Sequence, residues 1–537
     1  MHIELPLMLA QTADAVAIAV ASGTADSGTA TLGSKTLGSA TLGSAALGSA
    51  TLGSATLGSA AKVMPLWLSL ALFVVAAATV AWIASRITTM HLALGFATTA
   101  AMWAIGYVAM IAPGLWIGEA LFILTLAMPV LFGAIARRGG ASPLKVGLVS
   151  AFANLLIIGA FLRGDGVTST FDAYVAPLLY VVGLFVASGA LAAFGGFLAR
   201  NARPLRLPSS AGLFSAVSAL TVFILLVTGG LVTGLESGLA VPDWPNSFGH
   251  NMLLYPISEM KGGIYYEHAH RLFGMLVGVT ALVLLVVVWR EDKRGWVRGV
   301  AFAFLAAICV QGLFGGLRVT GRLTVETDPT ALTPSTALAI VHGMFGQLIF
   351  ATACVIACIT SNAWKSASTA TGIADASRLR TLPIALLVVL VVQLFLGASY
   401  RHLQIPPSDG NPAVHPAWPI WGHIFGAFVV VALAVIAGAH ASSRGKDHRP
   451  LRILGKGLVH GVGLQFALGI AALVVVLIRV DSRIPAYEVI TTSAHQALGA
   501  VLLATTAMLA AWSLRLVPQP ASGVEPLASV TPPSRAA

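Results

Sequence analysis

Glu267, His270 and Arg271 stand together in the stretch GGIYYEHAHRLFG, residues 262–274, directly ahead of the apolar run MLVGVTALVLLVVVW. An imidazole there can hold a metal, and a carboxylate beside it can give or take a proton. Glu267 precedes His270 by three residues, a spacing that puts both side chains on one helical face. The plainer role for Glu267 is an ion pair with Arg271, four residues on. His268 points about 200° away from His270 around the same helix.

The same histidine signature occurs four times: His270 in HRLFG, His342 in HGMFG, His423 in HIFG and His495 in HQALG, each followed three or four residues later by glycine. His270 to His342 is 72 residues, and so is His423 to His495. Gln311, Gln393 and Gln465 open Gln-x-x-x-Gly segments 31, 30 and 30 residues ahead of His342, His423 and His495. This is an internal duplication of a four-helix unit. Two histidines per half, on neighbouring helices at similar depth, suit bis-imidazole ligation of haem iron inside a bundle. The glycine after each histidine is expected to make room for the porphyrin plate. A lone intramembrane histidine is often only a packed polar residue, but four in matched register favour ligation. His250, His402 and His415 are read as surface residues of external loops, and His440 and His448 as residues of a basic cytoplasmic loop.

Positioning these groups falls to membrane helices. Of 537 residues, 57% are hydrophobic and 9% charged, and apolar runs of about 20 residues recur along the chain, as spanning helices require. The fold class is therefore an all-α integral membrane protein. Thirteen spans are expected: 64–84, 88–111, 115–136, 144–162, 173–199, 212–233, 264–289, 299–316, 334–361, 381–400, 417–439, 457–478 and 488–513. The last eight form the duplicated block, and the first five carry few polar groups beyond His91, Glu119 and Asn154. The net charge of +11 comes from Lys and Arg in alternate short loops, which is a topology signal rather than a nucleic-acid footprint. It places the N-terminus outside and the C-terminus in the cytoplasm.

Cys309, Cys354 and Cys358 all lie in apolar runs with no CxxC spacing, which disfavours zinc, c-type haem and a disulfide framework and reads as buried thiols. Residues 31–60 are six pentads of the TLGSA type, a low-complexity tail with nothing to bury. The preceding LPLMLAQTADAVAIAVA lacks a basic region and is a poor signal peptide.

Across about residues 212–513, the motifs TGGLVTGLESGLAVPDWPNSFGH, YYEHAHRLFGMLVG, QGLFGGLRV, VHGMFG, WGHIFGAF and TSAHQALGA resemble the haem A synthase family. The resemblance implies oxidation of the C8 methyl of haem O to a formyl group by successive hydroxylations, with the new oxygen from water. It implies that His270 and His342 hold the haem O substrate, that His423 and His495 hold a permanent haem b, and that Glu267 is the catalytic carboxylate. Arg271, Arg318 and Arg401 are rim arginines placed to pair with haem propionates. The implied setting is the plasma or inner membrane, with a haem O synthase as supplier, an unnamed electron acceptor, lipid as surroundings and a homo-oligomer as an open option. The chain divides into a tail (1–62), a five-helix region of unknown role (63–206), a substrate-haem half (212–361), a haem b half (381–513) and a C-terminal tail (514–537).

The halves differ in a way that suits this division. Ile420 stands in the second half where Glu267 stands in the first, and Thr228 precedes His270 by 42 residues whereas Gln393 precedes His423 by 30, leaving about 12 extra residues in the first half. Many bacterial members have cysteines flanking PDWP and a further pair in the second external loop; here Val241 and Ser247 take the first two positions and 401–419 has none, as in the cysteine-lacking class. The alternative reading is a dihaem b-type electron carrier of the quinol oxidoreductase kind. A transporter is a third, against which stands the lack of Gly/Pro-broken midplane helices.

Overall fold

The computed structural model describes residues 86–111, 114–162, 176–320, 335–369, 375–403, 415–479 and 484–517. The expected span at 64–84, the N-terminal tail and residues 518–537 of the C-terminal tail lie outside them, while 514–516 belong to the last helix. One compact unit takes in residues 87–111 and 120–537, and apart from residues 116–119 everything below belongs to it.

Among the described residues the chain is a succession of helices: α1 Thr89–Ile111, α2 Trp116–Arg138, α3 Pro143–Leu162, α4 Ala176–Leu198, α5 Ser210–Gly234, α6 Gly262–Glu291, α7 Gly295–Val319, α8 Thr336–Thr360, the short α9 Asn362–Ser366, α10 Ala376–His402, α11 Ala417–Arg444, α12 Arg449–Leu477 and α13 Ala486–Leu516. Eleven are long and apolar enough to cross a membrane. The protein is thus an all-α, multi-pass membrane protein. A helix is the form in which an apolar segment satisfies its own backbone in lipid. Buried hydroxyls do the same, bonding back to the carbonyl four residues earlier, as Ser215 does to Ala211, Thr280 to Leu276 and Thr506 to Leu502.

Helices α5 to α8 pack in sequence, as do α10 to α13, and the two quartets meet through α5, α8, α10 and α13. The start of α5 is capped by Ser209 and by Glu291 from the end of α6, whose carboxylate accepts from the Ala211 N–H at 3.0 Å and the Ser210 hydroxyl at 2.5 Å. A carboxylate at a helix N-terminus is favoured by the helix dipole. Asp292 ties the α6–α7 corner to Arg294 at 2.6 Å and Lys365 at 3.5 Å. Between α5 and α6 runs a long connection holding a two-residue ribbon, β1 Asn246–Ser247 with β2 His250–Asn251, and two 3-10 turns at 252–254 and 257–259.

Candidate functional site

The four histidines lie on α6, α8, α11 and α13, six to nine residues from each helix start, or about 9–14 Å along the axis. These helices alternate with single spans, so all four histidines fall at one end of the block.

Each histidine ring rests on a glycine of the helix before it. A methyl group built on Gly229, Gly315, Gly397 or Gly469 would lie 2.9–3.0 Å from Cε1 of His270, His342, His423 or His495 respectively. In three of the four pairs, glutamine completes the joint: the side-chain amides of Gln311, Gln393 and Gln465 donate to the backbone carbonyls of His342, His423 and His495 at 2.9, 2.8 and 3.1 Å. The glycine after the histidine then serves this glutamine, since Gly346, Gly426 and Gly499 face Gln311, Gln393 and Gln465. The expectation that these glycines clear space for a porphyrin is corrected: they seat the glutamine, while the glycines of the Gln-x-x-x-Gly segments seat the imidazole.

In the second half the His423 and His495 rings face each other with centroids 6.2 Å apart and planes at 75°. Nδ1 of His423 is 3.0 Å from the Gln393 carbonyl, so its N–H donates there and Nε2 carries the free lone pair, the arrangement typical of metal-bound imidazole. One metal ion at about 2 Å from each nitrogen fits that separation. In the first half His270 Nδ1 is held by the Thr228 hydroxyl at 3.1 Å, and His342 and Arg318 are among its ionisable neighbours.

Fixing the repeat by its glycine seats also moves one correspondence. Gln393 lies four residues before Gly397, so its counterpart four before Gly229 is Leu225, not Thr228. The first half therefore carries 45 − 30 = 15 extra residues rather than about 12. It lacks the glutamine, and Gly274 faces open space.

Those extra residues make a folded cover, and the motif SGLAVPDWPNS is legible as its set of fastenings. Gly238 lies beneath the Arg318 guanidinium, 2.9 Å from a built Cβ, and Gly316 lies under the Trp244 indole, with a built Cβ at 2.3 Å. Buried Glu267 accepts from the Val241 N–H at 2.8 Å and from Arg271 at 2.7 Å. Arg271 also donates to the carbonyls of Val241, Asp243 and Asn246 at 2.7, 2.6 and 3.1 Å. Burial would push the Asp243 carboxyl up, but the N–H groups of Gly249 and Phe248 hold it below the usual carboxylate range. His268 is fully buried, 3.1 Å from the Ser247 hydroxyl and with its ring against Tyr255. Glu267 thus makes the ion pair, and Arg271 spends its donors on Glu267 and the cover rather than on a rim.

A cavity of about 280 Å³ opens between the halves, lined by Glu236, Gly238, Arg318, Ser335, Arg401 and His402 among others. Nε of Arg318 is buried without a partner among the described residues. Arg401 donates to the Thr233 carbonyl and has Glu236 and Glu488 as charged neighbours. His402 is corrected from a surface position: it ends α10 and shares this cavity. His440 belongs to α11 rather than to a loop, half-buried, and His415 sets its ring 4.9 Å from Tyr400. Cys309 is exposed on α7 rather than buried, and all three thiols are free. Sequence reasoning missed the Leu225 register and the cavity role of His402; the glycine spacing before the histidines was the available signal for the first.

The sequence model of the COX15-CtaA family, described as cytochrome oxidase assembly protein, matches residues 212–406, the quartet with the cover and the start of the second. Over that stretch the chain is similar to this family, and the relatives it resembles are heme A synthases. It is similar to a heme A synthase of Rhodopseudomonas palustris, 24% identical over 60% of this chain and 97% of the relative, and to one of Rhodospirillum centenum, 27% identical over 58% and 90%. With a heme A synthase of Parvibaculum lavamentivorans it is 26% identical over 39% of this chain, spanning 62% of that relative's length.

Proposed function

We propose that the protein is a haem A synthase that oxidises the C8 methyl of haem O to a formyl group, for use in cytochrome oxidase. The observation that carries this reading is the asymmetry of the two halves within the family's fold. Among the described residues the second half presents a facing pair of imidazoles, while the first adds a buried carboxylate under a fastened cover.

His423 and His495 would hold a resident haem b, which when bound supplies one-electron redox chemistry through its iron. His270 and His342 would hold the haem O substrate. Glu267, three residues from His270, is positioned to hold or move a proton at its carboxylate oxygens, and the Val241 N–H and Arg271 keep it oriented. The cover from 235 to 261 excludes bulk water from that carboxylate. Arg318 and Arg401, at the cavity between the halves, are the cations available for propionates; Arg271 acts as a brace. The Lys and Arg distribution supports a site at the non-cytoplasmic side of the plasma or inner membrane, with the N-terminus outside and the C-terminus in the cytoplasm. A haem O synthase is the expected supplier, and electrons leave to an acceptor without a cysteine relay in these loops. A dihaem electron carrier would need two permanent haems and a quinone pocket, whereas among the described residues only the first half sets a buried carboxylate under such a cover.

The ligand assignment is tested on purified protein by absorbance of bound haem. His423→Ala or His495→Ala should abolish the resident haem signal, while His270→Ala should leave it and abolish binding of added haem O. Spectra indifferent to all three substitutions would refute the assignment.

A further inference from the structure

Helices α1 and α3 precede the family match, which begins at residue 212, yet they bury an aromatic face against the helix that carries Glu267. Trp103 of α1 sets its ring edge-on to Phe273 of α6, centroids 5.4 Å apart, and Tyr107 stacks on Tyr265 at 5.4 Å. The Tyr265 hydroxyl donates to the Tyr107 carbonyl at 2.6 Å. Asn154 of α3 fixes the Trp103 indole by accepting from its N–H at 2.8 Å. All four rings are under 9% exposed. The same cluster extends to the cover: Tyr255 is buried in it, Leu253 and Ile257 of the cover and Leu156 and Ile157 of α3 all pack against it, and α3 touches the turn at 252–254.

Tyr265 lies two residues before Glu267, and Phe273 three after His270. The cluster therefore grips α6 on both flanks of the candidate chemistry. The cover hangs from Glu267, His268 and Arg271 on one side and leans on α3 on the other, so two supports fix its position.

We propose that α1 and α3 form a built-in brace that sets α6 and the 235–261 cover around Glu267, with Trp103, Tyr107 and Asn154 as positioning residues for the substrate half. This rests on the haem O reading above. A carboxylate must be held close to its productive place, because a misplacement of about 1 Å can cost on the order of 100-fold in rate. Aromatic packing across helices is a short-range means of holding it, and the Trp103–Asn154 bond removes the ring's freedom to slide.

The test uses the full chain with Trp103→Ala, Trp103→Phe and Tyr265→Phe, reading amide hydrogen exchange, resident-haem absorbance and haem O turnover. Trp103→Ala should speed exchange across 237–247 and 264–271 by about tenfold or more, lower kcat for haem O by a similar factor, and leave resident-haem absorbance unchanged. Trp103→Phe should restore most of both. Exchange unchanged in these segments, or raised equally in 417–516, would overturn the brace. If Trp103→Ala does not fold, Tyr265→Phe decides through its one lost hydrogen bond: faster exchange confined to 264–271 supports the brace, and no change refutes it. Localised exchange in a protein that makes no haem A even unmutated would sink the haem O reading and leave the brace standing.

Discussion

The imidazole seats are the most exacting positions at the residue scale. Each histidine touches its glycine closely enough that a methyl group must displace the ring or the helix, and overpacking of this kind costs about 1–3 kcal/mol. Gly397→Ala, with its Cβ 2.9 Å from His423 Cε1, should weaken resident-haem retention without affecting haem O binding; Gly315→Ala, against His342, should do the converse. Retained haem after detergent washing reads both. Asp292 gives a pH signature at the opposite end of the bundle. Its bond from Arg294 holds the carboxyl down at about 2, below an ordinary aspartate near 3.9. A depressed carboxylate stabilises above its unfolded pKa and loses that contribution as pH falls through the folded value. The melting-temperature gap between the native chain and Asp292→Asn should be constant above about pH 4 and shrink toward pH 2. A gap that widens on acidification would contradict the pairing.

At the scale of elements, the cover between α5 and α6 is what distinguishes one half from the other. Trp244 over Gly316 fastens it to α7, so Gly316→Ala should lift the indole and raise the KM for haem O several-fold, visible as a change in tryptophan emission and in substrate titration. Resident-haem absorbance should not move. Much of this was legible in the sequence. The Glu267–His270 spacing, the four histidines and the 72-residue repeat all follow from helical periodicity and count. The ion pair of Glu267 with Arg271 was open as an alternative and is present. The glycine roles and the status of His268, His402 and Arg271 were not legible, because they depend on which helix faces which. A Gln-x-x-x-Gly segment states a spacing along one helix, and only packing shows that its glycine meets an imidazole from the next.

For the whole molecule, the eight-helix block holds two quartets related by sequence repeat and joined through α5, α8, α10 and α13, with α1 and α3 added against the first quartet. Among the described residues the helix boundaries expected from apolar runs match those found within about five residues, except that α12 starts at Arg449, eight residues ahead of the expected 457; length and hydropathy fix where a chain can cross a bilayer, not how far a helix runs on past it. Lys and Arg placement supports the proposed orientation, which is checked with single cysteines in a chain whose own three are replaced. Asn251→Cys in the cover should react with a membrane-impermeant maleimide on intact cells, and Ser443→Cys at the end of α11 only after permeabilisation. The reverse pattern would place the site on the cytoplasmic side.

The central claim is that a carboxylate and two imidazoles in the first quartet act on haem O while the second quartet keeps its own haem. Pigment extraction after expression in cells that make haem O tests it most directly. The account predicts accumulation of haem A, and its loss in Glu267→Ala with haem b still bound. Two equivalents of haem b and no haem A from the unaltered chain would contradict it.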